Sequence, residues 1–270
     1  MKIVQNDGYA RMSRTQEAPK ESAVTLSMLT VCFCDVTAID GLSLSVPRGS
    51  LFGFLGANGA GKTTTLNCLS GLQDLSGGSI ELLGRPFDRS NVDARVRLGV
   101  LPESLALFDQ LYVSEFLYFQ ARMFRLDKAI ARARIAELAE ALAIGDKPRT
   151  RLADLSAGTR KKIAFAAAIL HRPDLLLLDE PFESVDATSV ALMKEWLRVF
   201  VGRGGTVFLT SHVLETVEKL CDRVAIIDHG RLAWEGSPRG PLVLSGREFE
   251  DLESLFLGVT GERQSQLGWL

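Results

Sequence analysis

No apolar run in this chain approaches the roughly 18–20 residues that a helix needs to span a bilayer. The most apolar stretches, "IAFAAAIL" and "LLLL", are short and closely followed by charges or proline. The start, "MKIVQNDGYARMSRTQEAPKES", has neither an apolar region nor a small-residue cleavage pattern, so no secretory signal is read there. Positive charge is not in excess either. Lys and Arg number 31 against 33 Asp and Glu, a net charge of −2, which removes a global basic footprint for nucleic acid. Cysteine and histidine are scarce: the four cysteines include no CxxC pair, and His171, His212 and His229 lack metal-ligand spacing. A zinc site or disulfide framework is therefore not expected. Cys32 and Cys34, two apart in an apolar run, should share one face of a strand. Together with Cys68 and Cys221 they read as small buried hydrophobes. These absences describe a soluble cytoplasmic protein with no nucleic-acid partner.

What is present is a chain of 270 residues, 46% apolar, long enough for one large domain with an inserted lobe and tails. Residues 1–22 are polar and mixed in charge and read as a loose tail. The runs in "SLFGFLG", "LLLLDEP", "TVFLTSH" and "RVAIID" are continuous and end abruptly in polar residues. Such runs fit strands buried on both faces of a mainly parallel sheet, and helices between them make the class α/β. The main domain is set at 23–235, with a small antiparallel β part. Within it, residues 104–155 hold helical patterns and no convincing strand, so an inserted α-helical subdomain is expected there. Ile135, Leu138 and Leu142 recur at helical spacing in this section. Its arginines, Arg122, Arg125, Arg132 and Arg134 among them, are read as solvated helix faces. Residues 236–270 form a short helical extension. Ser245 and Glu248 have capping-box spacing, and Phe249, Leu252, Leu255 and Phe256 would give it one apolar face.

The strongest local signal is "GANGAGKT", which fits G-x-x-x-x-G-K-[ST] from Gly56 through Ala57, Asn58, Gly59, Ala60 and Gly61 to Lys62 and Thr63. Glycines here let backbone N–H groups converge on phosphate oxygens, aided by the following helix N-terminus. Lys62 would supply a charge to the outer phosphates, Thr63 a hydroxyl to Mg²⁺, and Thr64 further contact. A strand-like run precedes the motif and a helix-like one follows, as a nucleotide triphosphate site requires. In "LLLLDEP", Asp179 stands at a strand end, where open α/β sheets bind their ligands, and can hold Mg²⁺ opposite Thr63. Glu180, one residue on, can polarise a water for attack on the γ-phosphate. A kinase, a GTPase, a motor and a transport ATPase all remain compatible with these two motifs. The absence of N-K-x-D disfavours a GTPase.

A third feature separates them. "LSAGTRKK" begins a helix at Ser156 with a small, basic turn, and that helix end is a second anion site. Its order and spacing resemble the signature of the nucleotide-binding subunit of ABC transporters, usually Leu-Ser-Gly-Gly-Gln. Other residues match the same pattern. Phe33 occupies the place of the aromatic that stacks on adenine, and Glu103 in "GVLPES" that of the loop glutamine. Asp186 in "ESVD" resembles the D-loop aspartate, and His212 the switch histidine that contacts the γ-phosphate. The resemblance spans about residues 24–257. It implies a P-loop NTPase core that binds ATP with Mg²⁺, held through Thr63, Asp179 and Glu103. Glu180, His212 and Lys62 would be the catalytic groups. It further implies a second ATPase subunit, as a homodimer, with Ser156 and Gly158 of one chain meeting the ATP of the other. A separate transmembrane permease would hold the pair to the cytoplasmic face of the membrane.

Several residues depart from the common pattern. Ala157 and Thr159 replace a signature glycine and glutamine, Lys161-Lys162 stand where Gln-Arg is common, and Ser184 and Ala187 replace a Gly and a Pro. "LPE", "PFE" and the tail "FEDLESLFLGVTG" resemble the ATPases of type-two ABC exporters. An export ATPase is the leading expectation, with "FDQLYVSEFLYFQARMF" as one wall of a groove for the permease. An import ATPase and a regulatory or nucleic-acid-associated ABC protein are the alternatives. A plain P-loop kinase would leave the signature turn without a role.

Overall fold

A computed structural model describes residues 21–88, 90–105, 107–145 and 149–261, so the tail expected over 1–22 lies almost wholly outside the described residues. The chain starts with a long antiparallel hairpin, β1 (Ser22–Phe33) and β2 (Val36–Pro47). The short strand β3 (Leu51–Leu55) runs through the glycine loop into α1 (Lys62–Ser70). Next come β4 (Gly77–Leu82), β5 (Arg85–Pro86), α2 (Val92–Arg95) and β6 (Leu98–Leu101). Two helices, α3 (Val113–Met123) and α4 (Lys128–Ala141), then fill the stretch before α5 (Ala157–Leu170), with no strand between them among the described residues. The remaining core alternates strictly: β7 (Leu175–Asp179), α6 (Ala187–Gly202), β8 (Thr206–Thr210), α7 (Leu214–Leu220) and β9 (Arg223–Asp228). An antiparallel return strand, β10 (Arg231–Gly236), precedes the extension of β11 (Leu242–Leu244), β12 (Arg247–Phe249) and α8 (Leu252–Thr260).

Six strands form the central sheet in the order β10-β9-β3-β8-β7-β6, parallel throughout except at β10. The continuous apolar runs have a direct cause here. In β7, Leu176 and Leu178 face one hydrophobic cluster with α5, α6 and α7, while Leu175 and Leu177 face another with α1 and the antiparallel sheet. Both faces are dry, so alternation within the run carries no polar residue. The antiparallel sheet, ordered β2-β1-β4-β5, covers the second face. Because β3, β7 and β8 run parallel, their C-terminal ends share one edge, with Asp179 opposite Thr210.

Three expectations are corrected. Cys32 and Cys34 are exposed, because the chain turns after Phe33 and Cys34 lies in that turn with φ 49°; only Cys68 and Cys221 are buried. Ser245 does not cap a helix with Glu248. It sits at φ 50° beside Gly246 at φ 80°, the tip of the β11–β12 hairpin, a geometry that favours short polar residues and glycine. The cap belongs to Asp251, whose carboxylate accepts from the Ser254 N–H at 2.8 Å while the Ser254 hydroxyl reaches back to the Asp251 N–H. The apolar face of the helix holds for Leu252 and Leu255, which are buried, and for Phe256 packed beside them, but Phe249 belongs to β12 and not to the helix. Arg134, finally, is not a freely solvated residue. Its guanidinium crosses from α4 to donate to the Leu170 carbonyl at 2.8 Å, closing the end of α5.

Candidate nucleotide site

The loop between β3 and α1 takes its shape from its glycines. Gly61 has φ +111°, and a Cβ there would stand 2.5 Å from Ile39 Cδ1 and 2.9 Å from the Ala38 carbonyl. No side chain caps α1, so its first-turn N–H groups are left for a ligand. Asn58, Gly59, Gly61, Lys62, Thr63 and Thr64 line a cavity of about 550 Å³. The Lys62 ammonium is nearly buried and donates to the carbonyls of Gly56 at 2.8 Å and Ala57 at 3.2 Å. Ala60 packs into the core beneath the loop.

The acidic side of the cavity comes from Glu103, after β6, and Asp179 and Glu180 at the end of β7. Thr63 Oγ1 donates to Glu103 Oε2 at 3.0 Å, which joins the helix start to the loop carboxylate. Asp179 is 1% exposed. One of its oxygens accepts from the Thr210 hydroxyl; the other, Oδ2, is buried without a hydrogen-bond partner among the described residues. Burial, reinforced by the negative charge of Glu103, pushes the Asp179 carboxyl above its ordinary range. Glu180 holds φ +44°, a sparsely populated conformation for a residue with a side chain, and its N–H donates to Thr210 Oγ1 at 3.1 Å. Its Oε1 lies 3.0 Å from Nδ1 of His212, which follows β8. Lys62, Thr63, Glu103, Asp179, Glu180 and His212, drawn from four separate segments, thus meet in one cavity.

Four expected residues lie apart from it. Phe33 ends β1, half-exposed, and does not line the cavity. Ser156 caps α5, accepting from the Thr159 N–H at 3.3 Å. At Gly158 an added Cβ would come within 2.2 Å of the Ser184 carbonyl, so the glycine allows the first turn of α5 to pack against the loop after β7. Asp186 caps α6 through the Ser189 N–H at 2.9 Å and hydroxyl at 2.8 Å, and receives Lys162 Nζ at 3.4 Å. Those Ser189 hydrogen bonds, with Lys162, hold its carboxyl down to about 2.

Sequence reasoning missed Ala38 and Glu183, which line the cavity, and Thr210, which carries both Asp179 and Glu180. Thr210 could have been found: it ends a buried run just before His212, at the same sheet edge as Asp179. Lys162 offered no such signal.

With this geometry the comparisons agree. A family profile described as ABC transporter matches residues 39–183. A Nod factor export ATP-binding protein I of Paraburkholderia xenovorans (strain LB400) is 38% identical over 218 residues, covering 81% of this chain and 72% of the relative. An uncharacterized ABC transporter ATP-binding protein of Bacillus subtilis (strain 168) is 37% identical, covering 79% and 70%. Among solved structures, the ATP-binding subunit of an ABC transporter superposes with a TM-score of 0.75 at 25% identity, over 80% of this chain and 90% of that one. Part of the cbiONQ ABC transporter complex, cbiO1 from Clostridium perfringens, gives 0.69 at 25% identity, over 82% and 90%. The chain belongs to the ABC transporter family, as an ATP-binding and ATP-hydrolysing subunit of the kind that works with a membrane permease. None of its helices, among the described residues, is long and apolar enough to cross a membrane.

Proposed function

We propose that this chain powers export through a separate permease, with the cavity between α1 and the end of β7 as its hydrolytic centre. The observation that carries the catalytic reading is the Glu180–His212 contact of 3.0 Å, beside the loop that presents Lys62 and Thr63. Glu180 would take the proton of a water attacking the γ-phosphorus, and His212 would hold that carboxylate in place. Lys62 would leave the carbonyls of Gly56 and Ala57 for phosphate oxygens, which offer it full negative charge. Thr63, Asp179 and Glu103 would hold Mg²⁺; the buried, unpartnered Asp179 Oδ2 and its raised carboxyl pKa fit a hard cation that supplies the missing counter-charge. When bound, that ion neutralises charge developing on the β- and γ-phosphates.

Two ATPase subunits, each with Ser156, Gly158 and Asp186 facing the partner's nucleotide, would complete the sandwich, with Phe33 against adenine. The export direction rests on relatives such as the Nod factor export protein and on the "LPE" and "PFE" segments. A groove of about 330 Å³ where α3 and α5 meet β6 is the proposed permease seat, keeping the subunit at the cytoplasmic face. Phe108, Phe116, Phe124 and His171 line it, with Phe124 stacked on His171 at 3.6 Å. In this reading residues 1–22 are a tail, 23–235 the ATPase domain with its helical part at about 104–155, and 236–270 an accessory extension. Glu180→Gln tests the centre: ATP binding should persist while turnover falls by about 100-fold or more. Normal turnover in that variant would remove Glu180 as the base.

A further inference from the structure

A second cavity, of about 680 Å³, lies between the ends of α4, α5 and α6 and shares no residue with the nucleotide cavity. Its walls are apolar: Leu138 from α4, Ile169 from α5, and Trp196, Val199 and Phe200 from α6. Phe200 is set tightly, since a Cβ at Gly205 would meet its ring at 2.3 Å. The rim is cationic, with Arg134, Arg172 and Arg203 all lining it. Of these, only Arg134 has a hydrogen-bonded task, at the Leu170 carbonyl 2.8 Å away. The guanidinium groups of Arg172 and Arg203 have no hydrogen bond or ion pair among the described residues. The carboxylates on the same rim do not balance this charge. Asp174 is occupied by Arg97 at 2.7 Å, which leaves Glu137 alone against three guanidinium groups.

We propose that this cavity binds a small amphipathic anion, with its hydrocarbon part on Trp196, Phe200, Leu138 and Ile169 and its acidic head between Arg172 and Arg203. The complementarity is specific in both parts. An apolar cleft of this size removes a hydrocarbon chain from water, while planar guanidinium forks grip a carboxylate or phosphate in two-point fashion. A neutral apolar molecule would gain nothing from the two exposed arginines. An inorganic anion would leave the aromatic wall wet. Because α4 belongs to the helical part between β6 and β7, whereas α6 sits on the central sheet, a bound molecule would bridge the two and restrain their relative movement. Occupancy would therefore alter ATP turnover without touching the nucleotide residues.

The test uses dodecanoate below its micellar concentration, titrated calorimetrically into the full chain and followed in parallel by Trp196 fluorescence. Saturable binding is expected both without ATP and with the nucleotide cavity saturated, with a fluorescence response that Trp196→Phe abolishes. The double substitution R172E and R203E should weaken binding by about tenfold or more. Ala141→Trp, which narrows the mouth and keeps every charge, should weaken it comparably. Both variants must retain wild-type ATP affinity, which separates loss of the site from loss of the fold. Dodecyl phosphate binding better than dodecanoate assigns a phosphate head, and the reverse assigns a carboxylate; either supports the site. Equal affinity for dodecanol, competition by ATP, or full binding by the charge-reversed variant would overturn it.

Discussion

At the scale of single residues, the most constrained carboxylates are those that the fold has taken out of water or tied to backbone. Asp186 is the clearest. Its ordinary carboxyl pKa of 3.8 drops to about 2, chiefly through the Ser189 N–H. A depressed pKa stabilises the folded protein at any pH above the unfolded value and ceases to do so as pH falls through the folded value. The stability gap between wild type and Asp186→Asn should thus be constant from neutral pH down to about 4. It should then close toward pH 2, as read by denaturant unfolding at each pH. Lys62→Ala makes a different prediction. It removes the one ammonium in the loop, so ATP affinity should fall by about tenfold or more in equilibrium binding, with the melting temperature in the absence of ATP little changed. The place of the glycine loop between β3 and α1 was legible because its pattern is local, carried by eight adjacent residues. Thr210 and Lys162 were not, because their partners Asp179 and Asp186 lie 31 and 24 residues away. Nothing in a local pattern distinguishes such a lysine from an ordinary one, and Thr210 is marked only by ending a buried run just before His212.

At the scale of elements, the central strands were readable because burial on both faces leaves an unbroken apolar run, which helices of this length rarely have. Leu177 in β7 is wholly buried in the cluster that holds α1 and the antiparallel sheet. Leu177→Ala should cost about 2–5 kcal/mol in chemical denaturation, with no change in ATP affinity once folded. The antiparallel strands were less legible. β11 and β12 are three residues each, too short for a period to emerge, and the Ser-Gly pair between them competed with a capping-box spacing that happened to span the turn. The geometry favours the turn because Ser245 and Gly246 both need positive φ. Cys34 failed for a related reason: a strand that ends at Phe33 has no further face on which to bury the next side chain, while Cys32, still inside β1, is exposed beside the turn of the hairpin.

At the scale of the whole molecule, the helical part carries the surface by which the subunit would meet its permease. Phe119 stands 39% exposed on α3, edge-on to Phe108 at 5.4 Å, while Phe116 beneath it is buried. Phe119→Glu should therefore abolish co-purification with the permease and spare both ATP binding and thermal stability. Retained co-purification would move the docking surface elsewhere. The helices α3 and α4 were legible because their patterns interrupt the run of buried strands.

The close approach of Gly158 to Ser184, with Lys162 fastened to Asp186 nearby, has a mechanical meaning. The start of α5 and the loop ahead of α6 come from stretches about two dozen residues apart, yet they cannot slide past one another without a steric collision or a broken ion pair. They behave as one stiff part. A displacement of either would bear on the other, and the loop ahead of α6 begins at Glu180. In the proposed two-subunit sandwich, a shift of the Glu180 carboxylate and a shift at the partner-facing turn would then be readings of a single displacement.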